Sequence, residues 1–121
     1  FGHTFAHAFE STNNYSKKLN HGEAVILGIN TASQFAYNKK IMKLNELNLI
    51  QGHLQKLGLP YDLKKYFKKK QLKKIIEYMK IDKKNFGNKI NLILVKKIGN
   101  TPSITSFKAS EIKNFLIKKL N

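Results

Sequence analysis

The stretch from Gly22 to Asn38 constrains the fold most. Ala24, Val25, Ile26, Leu27, Ile29, Ala32, Phe35 and Ala36 leave little polar face at helical spacing, which is how a central helix enclosed by others reads. Such a helix needs apolar partners, and the rest of the chain offers them. Residues 2 to about 13 read as a helix continuing from a preceding segment, with Phe5, Ala8 and Phe9 on its apolar face. Ser11 to Asn20 is polar and fits a surface loop. Residues 42–57 form an amphipathic helix stopped by Gly58 and Pro60. In the lysine-rich run Tyr61–Lys80, the positions Leu63, Tyr66, Phe67, Leu72, Ile75, Ile76 and Met79 predict one or two surface helices. Lys89–Lys97 breaks the helical rhythm with Ile90, Leu92, Ile93, Leu94 and Val95. Gly99-Asn100-Thr101-Pro102 then turns the chain back toward Ser103–Phe107, a β-hairpin. Ser110-Glu111 opens a last helix carrying Ile112, Phe115, Leu116 and Ile117. The expected fold is mainly α and multihelical, with one small β-hairpin.

A chain of 121 residues suits one domain. Its 23 basic residues against 7 acidic ones give a net charge of +16, a balance that raises nucleic acid as a partner. Every one of those basic residues is a lysine. Arginine's planar fork is the usual means of bidentate contact with guanine and phosphate, so its absence argues against a nucleic-acid module. The lysines read instead as solvated faces. There is no cysteine, which excludes disulfides and thiolate metal sites. No apolar run reaches the roughly 18 residues that span a membrane, and no signal peptide is present. A cytoplasmic location is the simplest reading.

Three of the four histidines fall within the first 23 residues. His3 and His7 are four apart and share a helix face, and His21 follows one loop later. Imidazoles so grouped are a common way to hold a divalent metal. The spacing alone allows all three to bind one zinc. Glu10 and Glu23 lie close by, and read better as a partner orienting a ligand histidine or as a helix cap than as a third ligand. His53, on a lysine-bearing helix without others of its kind, reads as a surface residue.

Gly2-His3-Thr4-Phe5-Ala6-His7-Ala8-Phe9-Glu10 followed by His21-Gly22-Glu23-Ala24-Val25-Ile26-Leu27-Gly28 resembles the C-terminal half of the 3-dehydroquinate synthase family, the sugar-phosphate cyclases of the shikimate pathway. Leu57-Gly58-Leu59-Pro60, Asp82-Lys83-Lys84, and Lys89-Ile90-Asn91-Leu92-Ile93-Leu94 with Ile98-Gly99 continue the resemblance in order along nearly the whole chain. Ala6 departs from the pattern, where the family usually has glycine. It adds one methyl group and leaves both flanking histidines in place. Phe1 falls inside the first motif, so the chain reads as a fragment of a longer protein, cut within a helix.

The resemblance implies a helical C-terminal metal-binding domain, with an NAD-binding α/β domain lying N-terminal to it and outside this chain. It makes His3 and His21 ligands of Zn2+ (or Co2+), with a glutamate from an earlier segment as the third. His7 is then left to face the substrate phosphate and to move a proton. One of Lys83 and Lys84, more readily Lys84, is implied to contact the same phosphate. The implied partners are a sugar-phosphate substrate, the N-terminal domain and, at full length, a second copy in a homodimer, with no nucleic acid and no membrane. The implied reaction converts 3-deoxy-D-arabino-heptulosonate 7-phosphate to 3-dehydroquinate with phosphate release. The rival readings are another sugar-phosphate cyclase or a metal-dependent polyol dehydrogenase of the same superfamily, and, from another class, a basic nucleic-acid-binding module. The phosphate-seeking lysines favour the synthase, since an alcohol without phosphate needs none. An unliganded histidine titrating near neutrality suits proton transfer beside a carbonyl, and a metal-bound His7 would not serve.

Overall fold

The computed structural model describes residues 2–13, 19–59, 62–81, 89–96, 99 and 103–121. The order is α1 (His3–Thr12), α2 (His21–Asn38), α3 (Leu44–Lys56), two single 3-10 turns (Leu63–Lys65 and Lys69–Gln71), α4 (Leu72–Ile81), β1 (Lys89–Leu94), β2 (Ser103–Lys108) and α5 (Ala109–Leu120). The mainly helical reading with one hairpin is the architecture observed.

α1 does not continue back through Gly2 as the sequence suggested. Gly2 has φ +78, a left-handed conformation that ends the helix at His3. α1 ends at Thr12, close to the expected end near residue 13, and Thr12 is buried. Leu19 is buried in the core.

α2 begins with an Asn20–Glu23 capping box: the Asn20 side chain accepts from the Glu23 backbone N–H at 2.8 Å, and the Glu23 carboxylate accepts from the Asn20 N–H at 3.0 Å. Reciprocal capping satisfies two of the helix's orphan donors and fixes its first residue. Leu27, Ala32, Phe35 and Ala36 are buried as expected for a central helix. Val25 is not; it is 37% exposed, and Ile26 and Ile29 are only half-buried. Two buried polar residues of this helix turn inward on its own backbone, Thr31 donating to the Leu27 carbonyl and Ser33 to that of Ile29.

The core is built around phenylalanine. Phe5 lies 6.0 Å from Phe9 and 6.4 Å from Phe35, Phe9 lies 5.3 Å from Phe67, and Phe35 meets Phe107 and Phe115 edge-on at 4.8 and 5.2 Å. These contacts tie α1, α2, β2 and α5 to Phe67, just after the first 3-10 turn, and the two pairs of Phe35 with Phe107 and Phe115 take the edge-to-face geometry that aromatic quadrupoles favour. α4 is less peripheral than its lysines suggested. Ile75 and Met79 are fully buried, with Leu72 and Ile76 nearly so, and the helix packs against α1. By contrast α3 buries only Leu47 and leaves Leu44 and Leu49 exposed.

β1 and β2 pair antiparallel, with Lys89 opposite Lys108 and Leu94 opposite Ser103. Ile90, Leu92 and Leu94 point inward, so the strand obeys the two-residue period. Asn91 and Ser106 are joined by a cross-strand side-chain hydrogen bond. Ile93 and Ile104, opposite each other on the outer face, are 38% and 62% exposed. No helix of the described residues is long and apolar enough to cross a membrane.

Candidate metal and substrate site

α1 and α2 cross at the smallest residues they possess. A Cβ placed on Gly28 would lie 2.6 Å from the Gly2 carbonyl oxygen, 2.7 Å from the Ala6 nitrogen and 2.8 Å from the Ala6 Cβ. A Cβ on Gly2 would lie 2.7 Å from the Ile29 nitrogen. The two backbones therefore touch, and the register of the pair is set: Gly2 and Ala6 against Gly28 and Ile29 at one level, Glu10 against His21 at the next. The helices run antiparallel. The methyl group of Ala6 is accommodated because Gly28 contributes none.

His3, His7 and Glu10 form one stripe along α1, at the i, i+4, i+7 spacing of a single helix face. The His3 and His7 rings lie nearly parallel, 10° apart in plane with centroids 6.3 Å apart, and both residues are exposed. At the lower end of the stripe the His21 ring, 77% exposed, presents Nδ1 to both carboxylate oxygens of Glu10 at 3.1 Å each. Glu10 itself is mostly covered, at 17% side-chain exposure. Glu10 and Glu23 thus take the parts expected of them, one orienting a histidine and the other capping a helix. Tyr66 lies close enough to feel Glu23: burial first, and then the Glu23 charge, push its phenol above the ordinary tyrosine range.

The structure brings His3 to His7, and His21 to Glu10. Among the described residues no three His, Asp or Glu side chains converge into a group that could hold a metal ion. Among the described residues His3, His7 and His21 are not gathered into one cluster, and each imidazole is by its chemistry a donor that a divalent metal accepts. Asp82, Lys83 and Lys84 lie outside the described residues. His53 is exposed on α3, as expected. The capping role of Asn20 is one that sequence reasoning missed, although Asn20-x-x-Glu23 before an apolar run is its usual signature.

The family described as 3-dehydroquinate synthase C-terminal matches residues 1–85. Over 120 residues the chain is 52% identical to the 3-dehydroquinate synthase of Pelagibacter ubique, covering 99% of this chain and 33% of that protein. Over 118 residues it is 36% identical to the 3-dehydroquinate synthase of Streptococcus pneumoniae, covering 98% of this chain and 32% of that protein. Among solved structures, 2-deoxy-scyllo-inosose synthase complexed with carbaglucose-6-phosphate, NAD+ and Co2+ superposes with a TM-score of 0.76 at 22% identity, over 98% of this chain and 32% of that one. That likeness establishes a shared fold. The chain spans about a third of the length of the relatives it matches, and on the sequence match across its first 85 residues it belongs to the 3-dehydroquinate synthase C-terminal family.

Proposed function

We propose that this chain supplies the metal-holding and proton-transferring part of a 3-dehydroquinate synthase, an enzyme that cyclises 3-deoxy-D-arabino-heptulosonate 7-phosphate to 3-dehydroquinate and releases phosphate. The observation that carries the reading is the α1–α2 pair itself. His3 and His7 lie one turn apart on an exposed face of α1, and His21, at the start of α2, is held through Nδ1 by the Glu10 carboxylate of that same α1 face. His3 and His21 hold a divalent metal, Zn2+ or Co2+, and the remaining protein ligand comes from a part of the enzyme N-terminal to this domain. The bound metal supplies Lewis acidity at a substrate oxygen. NAD is held mainly by that same N-terminal part, since no phosphate-cradling glycine loop occurs in this sequence.

The chain's own residues divide the remaining work. His7, one turn from His3 on the same exposed helix face, keeps a free ring nitrogen to move a proton at the carbon beside the transient carbonyl and to meet the substrate phosphate. Lys84, or Lys83 beside it, adds positive charge for that phosphate. The whole enzyme acts in the cytoplasm as a homodimer on a small sugar phosphate, and does not engage nucleic acid or membrane.

The test is a chimera in which this chain replaces the matching C-terminal third of the Pelagibacter ubique relative. The chimera, loaded with Zn2+ or Co2+, should release phosphate from the heptulosonate phosphate in an NAD-dependent manner, and the chain alone should not. A folded, metal-loaded chimera without turnover on this substrate, but active on a non-phosphorylated polyol, would move the chain to the dehydrogenase reading.

A further inference from the structure

We propose that Glu10 is a positioning residue for His21: its carboxylate locks the ring with the proton on Nδ1 and so commits Nε2 as the metal-binding nitrogen before any ion arrives. This deepens the reading of His21 as a metal ligand and rests on it. The chemistry follows from the donor inventory. An ionised carboxylate offers only acceptors, and a neutral imidazole carries one N–H. With both Glu10 oxygens 3.1 Å from Nδ1, the hydrogen belongs on Nδ1 and the lone pair on Nε2. Without that partner either tautomer is open to the ring, and only one of them presents a lone pair at Nε2.

Both ends of the contact are anchored by features unrelated to any ligand. Glu10 is carried to His21 by the close crossing of α1 and α2 at Gly28, and His21 is fixed as the first residue of α2 by the Asn20–Glu23 capping box. The exposures divide in the sense the proposal needs, the carboxylate mostly covered and the ring mostly open. Outer-shell partners of this kind typically govern about 10–100-fold in metal affinity.

The experiment uses the chimera with the Pelagibacter ubique relative. Co2+ affinity is read by chelator competition and the ligand field by the visible d–d bands, for the unaltered protein and for Glu10→Ala, Glu10→Gln and His21→Ala. Glu10→Ala should weaken Co2+ about 10–100-fold. Glu10→Gln keeps a carbonyl acceptor for Nδ1–H without the charge and should fall between. Both should fill to the same stoichiometry at saturating Co2+ with unchanged band positions, because the ligand set is the same. His21→Ala should lose stoichiometric binding. Shifted bands in saturated Glu10→Ala would make Glu10 a ligand and overturn the proposal. Unchanged affinity in Glu10→Ala beside lost binding in His21→Ala would overturn the positioning role alone. Intact binding in His21→Ala would overturn the metal reading and this proposal with it.

Discussion

Gly28 decides how near α1 can come to α2, and the approach leaves nothing to spare. A methyl group there meets backbone atoms of Gly2 and Ala6 at 2.6–2.8 Å, and backbone cannot swing aside as a flexible side chain could. Overpacking of a well-packed interface costs about 1–3 kcal/mol, so Gly28→Ala should lose about 3 kcal/mol in chemical denaturation, whereas Ala6→Gly should change stability by about 1 kcal/mol or less. A Gly28→Ala variant as stable as the parent would show that the helices do not touch where they are placed. The roles proposed for the histidines separate at the same scale. In the chimera, His3→Ala should lose its metal, while His7→Ala should keep near-stoichiometric metal and lose about 100-fold or more in turnover, the usual scale for one acid–base group. Metal content by mass spectrometry beside the rate decides between them. Loss of metal in both would make His7 a ligand.

At the scale of the element, the start of α2 is the piece on which the site depends. Replacing Asn20 by alanine removes one half of a reciprocal cap, a loss of about 1 kcal/mol, and loosens the residue that must present its ring to Glu10. Asn20→Ala should therefore lower both stability and Co2+ affinity, where a surface change such as Asn45→Ala should lower neither; an Asn20 variant with unaltered affinity would detach the cap from the site. What could be read from sequence follows the same lines. α1, α2, α5 and the hairpin were legible because each carries its own period, 3.6 or 2, in apolar residues. The packing of α4 against α1 was not, because the lysines of α4 describe its outer face and say nothing of what its inner face meets. The Glu10–His21 contact joins residues eleven apart through a crossing that Gly28 sets, and no local pattern states which two helices will cross. Val25 was misplaced for the opposite reason: a helix without a polar face promises enclosure on all sides, and the described residues enclose α2 on only some of them.

The whole molecule carries +16, and few of its cations are matched. Lys39 illustrates what an available partner does: its Nζ lies 3.5 Å from a Glu111 oxygen and 5.7 Å from the centre of the Phe35 ring, so one lysine closes α2 against α5. With 23 lysines and 7 acids, most have no such partner to find. Clusters such as Lys68–Lys70 and Lys73–Lys74 therefore repel across the surface, and excess charge of one sign destabilises a compact state. Exposed ion pairs weaken in salt, but each contributes little, so relief of repulsion should dominate. Raising NaCl from about 0.01 M to about 1 M shortens the Debye length from about 30 Å to about 3 Å, and the thermal midpoint should rise across that range. Chloride is the suitable salt, because sulfate strengthens apolar burial on its own account and would mimic the effect. A midpoint that falls with NaCl would mean that specific ion pairs outweigh repulsion in this fold.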